Sequence, residues 1–412
     1  MNKFVQYFLC SRRSIASSLS AALFLALLAG ASANAHAKTN HNAYVADDAD
    51  GTVTVIDTRN NTVTATISGF IRPSSLAVSP NGNLLYVLNN GTANLSVVDT
   101  ETNTVTATID VGLYLFNGGV GETGPSVTFS RRGDRAYLAN FTQDTLVVIN
   151  PGTSSVVATV SLPAQFQPVA VAVSPQGDKV YVGGSGGIMV VDVKGSAPIV
   201  DIAPTNSVFI DLVITPDGKK LYGSNAAAFS TPVGNLDLVV IDLTTNSVED
   251  TIHLTPGLFV AGLAVAPDGR HVYVAGASFS STVTVIDTVD NSIDATIIAD
   301  GVTLTQLAFT PNGRKLLATN LHGPPGTPDN SVIVIDPRDN TLTTSIMVSR
   351  PFAIATQSPL RIRKDCDGDA DDRNDRDDHH RRDHDADDCR DQDDHHGRDH
   401  DDDRDNDRDH TH

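Results

Sequence analysis

Two arginines stand directly before prolines, in Arg72-Pro73 and Arg350-Pro351. A guanidinium offers paired N–H donors in a rigid fork, so two of them at one opening would hold a carboxylate or a phosphate. Glu122 and Gln167 occupy comparable loops and complete a candidate ligand-binding set. The competing reading is an exposed Arg-Pro turn, its charge solvated or paired with an aspartate such as Asp47. Charge reversal at Arg72 separates the two.

A second concentration of chemistry lies at the C-terminal end. From Asp365 to His412 the chain holds 22 Asp and 8 Arg and almost nothing apolar. Such a segment has too little to bury to offset its ordering entropy, and it is expected to be disordered. Asp365, Asp367, Asp369 and Asp371 are spaced like the carboxylates of a calcium loop. Ala370 at the sixth position and Arg376 at the twelfth depart from that pattern. His379, His380, His384, His395 and His396 are imidazoles suited to zinc or copper. The alternative is a solvated polyampholyte in which Arg and Asp pair with one another. Cys366 and Cys389 are read as one disulfide in an oxidising compartment, with paired thiolate metal ligands as the competing reading.

Elsewhere the chemistry is thin. There is no Cys-x-x-Cys-His haem site and no His-x-x-x-His pair, and His253, His271 and His322 stand apart. Hydrolysis would need an acid, a base and an Arg or His converging on one pocket. Of the glutamates, Glu101 falls in a turn and Glu249 in an outer strand, leaving Glu122 the best placed. A non-enzymatic binding protein is therefore the leading expectation, with an enzyme or cofactor-binding protein as the alternative.

The elements that must position these groups are repeats. Apolar runs end at Asp57, Asp99, Asn150, Asp192, Asp242, Asp287 and Asp336, spaced 42 to 51 residues apart. Each repeat reads as four short strands separated by turn residues. A period of roughly 40–50 residues built from strands alone predicts a β-propeller. Seven tyrosine-type second strands (Tyr44, Tyr86, Tyr137, Tyr181, Tyr222, Tyr273, Leu317) match seven inner strands near Leu76, Val127, Val171, Leu212, Leu263, Leu307 and Ile354. The chain starts on a second strand and ends on an inner one. The last blade is thus expected to be shared: three strands from Tyr44 to Ile67 and the innermost from Phe352 to Gln357. Arg72 and Arg350 then lead into the inner strands of neighbouring blades. The recurrent Asp and Asn residues are read as scaffold, because short Asx side chains bond their own backbone two residues on. Binding is expected on the face carrying the longest loops, Gly112 to Pro125, Asn225 to Leu236 and Asn320 to Ser331.

Tyr44-Val-Ala-Asp47, Tyr86-Val-Leu-Asn89 and Tyr137-Leu-Ala-Asn140, with the Val-x-Val-Ile/Val-Asp and Ser/Thr/Ala-Pro-Asn/Asp-Gly segments, resemble the YVTN-type β-propeller repeats. The resemblance covers Ala43 to about Leu360. It implies a seven-bladed propeller similar to those of archaeal surface-layer proteins and exported bacterial proteins. More distantly the repeats are similar to the haem d1 domain of nitrite reductase and to propeller lactonases.

Residues 1–37 read as a signal peptide, with Lys3, Arg12 and Arg13 before an apolar stretch and small residues at Ala33 to Ala37. Residues 38–360 form the propeller and 361–412 the tail. The mature chain is expected to be periplasmic or extracellular, without a membrane span and monomeric. Its partner is expected to be an envelope or surface protein, or a small anionic ligand. A net charge of −20 argues against nucleic acid.

Overall fold

A computed structural model describes residues 41–112, 126–193, 197–202, 207–226, 236–254, 259–277, 280–300, 302–321 and 330–357. The chain divides into two units, Met1–Arg361 and Ile362–His412, and every described residue belongs to the first. The described residues form 28 strands, numbered β1 to β28 in chain order, in seven four-stranded antiparallel sheets. The sheet that closes the ring has the order β28-β1-β2-β3, with β1 Asn42–Asp47, β2 Thr52–Asp57, β3 Thr62–Ser68 and β28 Pro351–Thr356. This is the shared blade expected from the strand count, here blade 7. The inner strands of blades 1 to 6 are β4 Pro73–Val78, β8 Val127–Phe129, β12 Ala170–Val173, β16 Phe209–Ile214, β20 Phe259–Val265 and β24 Leu304–Phe309. Each packs on the next, and β28 packs on both β24 and β4, so the inner strands close a ring.

The core is distributed. Seven apolar clusters each lie between two neighbouring blades, as where Leu88 and Val97 of blade 1 meet Phe129 and Ile149 of blade 2. Alternating Val, Ile, Leu and Ala present side chains to both faces of each sheet, which is why burial runs almost unbroken through the second and third strands. The fourth strands Thr62–Ser68, Thr104–Asp110 and Thr341–Met347 are Thr-rich and exposed, each with one buried anchor, Ile67, Ile109 and Ile346. In all seven blades a register shift separates the last residues of the third strand from the rest of its pairing with the fourth. A bulge there bends the free outer strand and blunts an edge that would otherwise pair with another chain.

The recurrent Asx residues do what their repetition implies. Asp57, Asp99, Asn150, Asp242, Asp287 and Asp336 each accept the N–H two residues on, at 2.6–3.0 Å. Tyrosines of the second strands tie blades together. Tyr222 Oη donates to Asn291 of the next blade at 2.8 Å, and Tyr273 Oη to Asn340 at 3.2 Å. Both asparagines have positive φ, 60° and 57°. In blade 2 the same place is taken by Ser154, at φ 48°, and the buried Tyr86 hydroxyl has no hydrogen-bond partner among the described residues. Burial pushes that phenol up to about 12. Ser154→Asn should therefore stabilise the protein by about 1 kcal/mol, since it supplies an acceptor and a residue at ease with positive φ. Chemical denaturation measures this. The gain should shrink when Tyr86→Phe is added, leaving only the part due to backbone conformation, and a gain undiminished there would rule out the bond as a source.

Candidate functional site

The central channel is walled by the free edges of the inner strands, whose outward N–H groups need acceptors. Part of the supply comes from one register position, the residue before the central apolar residue of each inner strand. In blades 1 to 7 this position holds Ser75, Ser126, Ala170, Asp211, Gly262, Gln306 and Ala353. Ser75 accepts the N–H of Val127 in the next blade at 3.3 Å, and Ser126 accepts that of Val171 at 2.7 Å. Gln306 likewise accepts that of Ile354, at 3.4 Å. Ala170 has nothing to offer Leu212. Asp211 compensates: Oδ1 accepts the N–H of Leu212 and Oδ2 that of Leu263, each at 2.8 Å. At Gly262 an added Cβ would lie 2.9 Å from Gln306 Cα, so blades 5 and 6 approach there as closely as backbones can.

Asp211 is the one ionisable member of this belt. Burial pushes its carboxyl up to about 7, against the pull of its two N–H donors. The channel thus contains a carboxyl that changes charge near neutrality.

One residue further along the inner strands begins a cavity of about 420 Å³, open at the mouth where those strands turn back. Its lining includes Leu76, Val127, Phe129, Ile214 and Val265 together with Thr128 and Thr356, and Leu76, Val127 and Phe129 turn most of their side chains into the cores between blades. Its rim is made by the turns of the repeat. The turn hydroxyls serve the fold: Ser79, Ser130, Ser174, Thr215 and Thr310 each accept the N–H five residues on, at 2.9–3.2 Å. Pro80, Pro175, Pro216 and Pro267 stand on this rim. Glycine φ values of 68–76° let each turn pack on the proline of the blade before. A Cβ at Gly133, Gly218, Gly269 or Gly313 would meet Pro80, Pro175, Pro216 or Pro267 at 3.2–3.4 Å. Among the described turns one such contact is missing. Blade 2 has Arg131 in place of proline, and a Cβ on Gly177 of blade 3 would meet nothing within 4 Å. Arg131 is the one charged residue among those lining the cavity.

The residues singled out from sequence lie elsewhere. Arg72 and Arg350 are both exposed and stand at the starts of β4 and β28, which pack together. Each thus stands at the end of its inner strand opposite the proline turns. Arg72 has φ 52°, and its carbonyl accepts the N–H of Asn90 at 3.0 Å. No ion pair joins either arginine to Asp47 among the described residues. Asp47 instead caps its own loop, accepting the N–H groups of Ala49 and Asp50 at 3.0 and 2.9 Å. Gln167 is held by the fold: its N–H donates to Asp144 at 2.7 Å and its Oε1 accepts from Ser185 at 3.3 Å. His253 sits 2.7 Å from Asp237, and His271 is 3.6 Å from Asp294. Glu249 bonds Lys220 at 2.9 Å. Glu122 and His322 lie outside the described residues. So do most of the three long loops, both tail cysteines and every tail Asp and His named above. Among the described residues no group of three or more His, Cys, Asp or Glu could hold a metal ion. Nor is any described helix long and apolar enough to cross a membrane.

Sequence reading missed both Asp211 and the role of Arg131. The signal existed in each case. Asp211 is the only ionisable residue in its column of the repeat, and Arg131 the one cation in a column of prolines.

No family model and no curated sequence matches the chain. Solved structures do. Hydrazine synthase of Kuenenia stuttgartiensis is 18% identical with a TM-score of 0.60, over 72% of this chain and 92% of that one. Dihydro-heme d1 dehydrogenase NirN, in complex with DHE, is 17% identical with a TM-score of 0.53, over 77% of this chain and 66% of that one. At such identities the likeness establishes the propeller fold and nothing finer.

Proposed function

We propose that this chain is an exported propeller that binds a small ligand in its central channel and carries out no chemistry on it. The observation that carries the reading is the cavity of about 420 Å³ at one channel mouth. Its size and lining suit a ligand site, whereas the turn hydroxyls on its rim are already engaged in the fold. The N-terminal charge and apolar pattern supports export to the periplasm or cell exterior, and the YVTN-type repeats support a place at the envelope or surface. In this reading the exposed Arg72 and Arg350 give the opposite mouth a cationic sector for an anionic group of a ligand or envelope partner.

The test is to purify the full chain from its own host and analyse what it releases on denaturation by mass spectrometry. A small molecule released in about one-to-one ratio, with unchanged covalent structure after incubation, is the expected result. The second reading is a cofactor-bearing or hydrolytic propeller, favoured by structural neighbours whose names include a DHE complex. Visible absorbance from the purified protein would support it, as would lactone turnover lost in Arg350→Ala. Either result would displace the binding reading. Arg72→Glu should abolish retention of any anionic molecule held at the opposite mouth, and unchanged retention would remove the arginine pair from the site.

A further inference from the structure

We infer that the central channel receives the ammonium group of an organic cation, with the Asp211 carboxylate as its counter-ion. The inference rests on the ligand-binding reading of the channel and adds the chemical class of the ligand.

Three observations carry it. First, the seven inner strands contain one ionisable residue, Asp211, and no Lys, Arg or His, so their own charge is a single carboxylate. A partly desolvated carboxylate without a fixed counter-ion favours a mobile one, and the chain's net charge of −20 adds a field that draws cations. Second, the carboxyl is bound but not saturated. Its two oxygens offer about four acceptor positions, and among the described residues two are filled, by the N–H groups of Leu212 and Leu263. An ammonium group, with three N–H donors, suits the remainder. Third, the carboxyl is reachable. Asp211 is half-buried and so keeps some accessible surface, and the belt residues on either side of it, Ala170 and Gly262, are small.

No other charge competes for it. Of the strands packed on β16, β12 and β20 hold no titratable group, while β13 Lys179–Gly184 and β17 Lys220–Ala226 hold Lys179, Tyr181, Lys220 and Tyr222. Lys220 is bonded to Glu249 and Tyr222 to Asn291. What acts on the Asp211 carboxyl is burial and its two N–H donors.

Hexylammonium is titrated into the full chain by calorimetry above pH 7, with hexanol as its uncharged counterpart. Asp250→Asn, on the exposed outer strand of the same blade, controls for overall charge. Hexylammonium should bind the unaltered protein at one site. Asp211→Asn should weaken it about tenfold to hundredfold, the range of a charge-assisted hydrogen bond. Hexanol should be nearly indifferent to that change, and Asp250→Asn should leave hexylammonium affinity intact. A second readout needs no variant. The free carboxyl titrates at about 7, so binding at about pH 6 should release about one proton, read from the dependence of the heat on the buffer. Affinity should rise from about pH 5 to about pH 7 and level off above.

Hexylammonium affinity that survives Asp211→Asn would overturn the inference, as would equal weakening by Asp250→Asn. If Asp211→Asn does not fold, binding at about pH 6 without proton release would overturn it. Displacement of hexylammonium by potassium at equal concentration would assign the channel to an inorganic cation and overturn the organic class. Hexanol binding without hexylammonium binding would overturn the cation assignment and leave the channel as a site for uncharged ligands. Failure of both probes would overturn the ligand class, while the release experiment above would still decide whether the protein carries a ligand.

Discussion

A chain ending at Arg350 should lose its cooperative fold. It lacks β28, the strand that among the described residues joins the end of the propeller to its beginning. Three consequences follow from that single loss. The edge of β1 loses its pairing from Ala43 to Asp47. Ala353 and Ala355 leave the core between blades 7 and 1, and Ile354 leaves the core between blades 6 and 7. The cross-ring hydrogen bonds also go: Ile354 N–H to Gln306, Thr356 Oγ1 to the Phe309 carbonyl, and Gln357 Nε2 to the Pro80 carbonyl at 2.9 Å. Burying an isoleucine and its apolar neighbours contributes about 1.5–3 kcal/mol per large side chain, and each hydrogen bond about 1 kcal/mol. Together these approach the 5–15 kcal/mol by which a whole domain is stable. Calorimetry should show the sharp transition of the full chain replaced by a broad one at lower temperature, with aggregation through the bared edge. A peptide spanning Arg350 to Gln357 should restore part of the transition. A truncated chain melting at the full-length midpoint would mean that the ring does not depend on its closing strand.

The second large effect concerns Asp211. Its carboxyl is raised in the folded protein from 3.8 to about 7. Between those values the folded state holds a proton that the unfolded state has released, so stability falls as pH rises through this window. Below about pH 4 both states are protonated and the contribution is constant. Above about pH 7 the folded carboxyl is ionised and the loss is complete. The full swing is up to about 4 kcal/mol, from 1.36 kcal/mol per pKa unit. Asp211→Asn removes the titration and keeps a side chain of similar shape. Denaturation at several pH values should therefore give curves for the two proteins that diverge between about pH 4 and pH 7, the unaltered protein losing ground. The comparison matters because the many other carboxylates titrate equally in both. Parallel curves would show that the two N–H donors hold Asp211 ionised and that burial is the lesser influence.

Asp211, Arg131 and the shared blade were not equally legible in the sequence. The shared blade follows from counting: seven tyrosine-type strands and seven inner strands, with the chain starting on one kind and ending on the other. The structural role of the Asx residues follows from recurrence, since a residue present in nearly every blade answers a need that every blade has. Arg72 and Arg350 were equally visible as deviations, and the structure places them at the starts of adjacent inner strands. Their exposed side chains show no ion-pair partner among the described residues.

What the sequence determined by itself was therefore the architecture. Strand type, turn position, blade number and the way the ring closes are set by local pattern and by the period, and both are written along the chain. What only the tertiary structure decided is which deviations matter. Leu212 lacks an acceptor because blade 3, some forty residues earlier, carries Ala170 at the belt position, and Asp211 fills the need that results. Arg131 matters because the turns around it supply prolines to one rim and Gly177 finds no proline beside it. Both facts are relations between neighbouring blades. Burial, hydrogen-bond supply and the charge at a rim depend on distances across a closed ring, and those distances exist only once β28 has closed it.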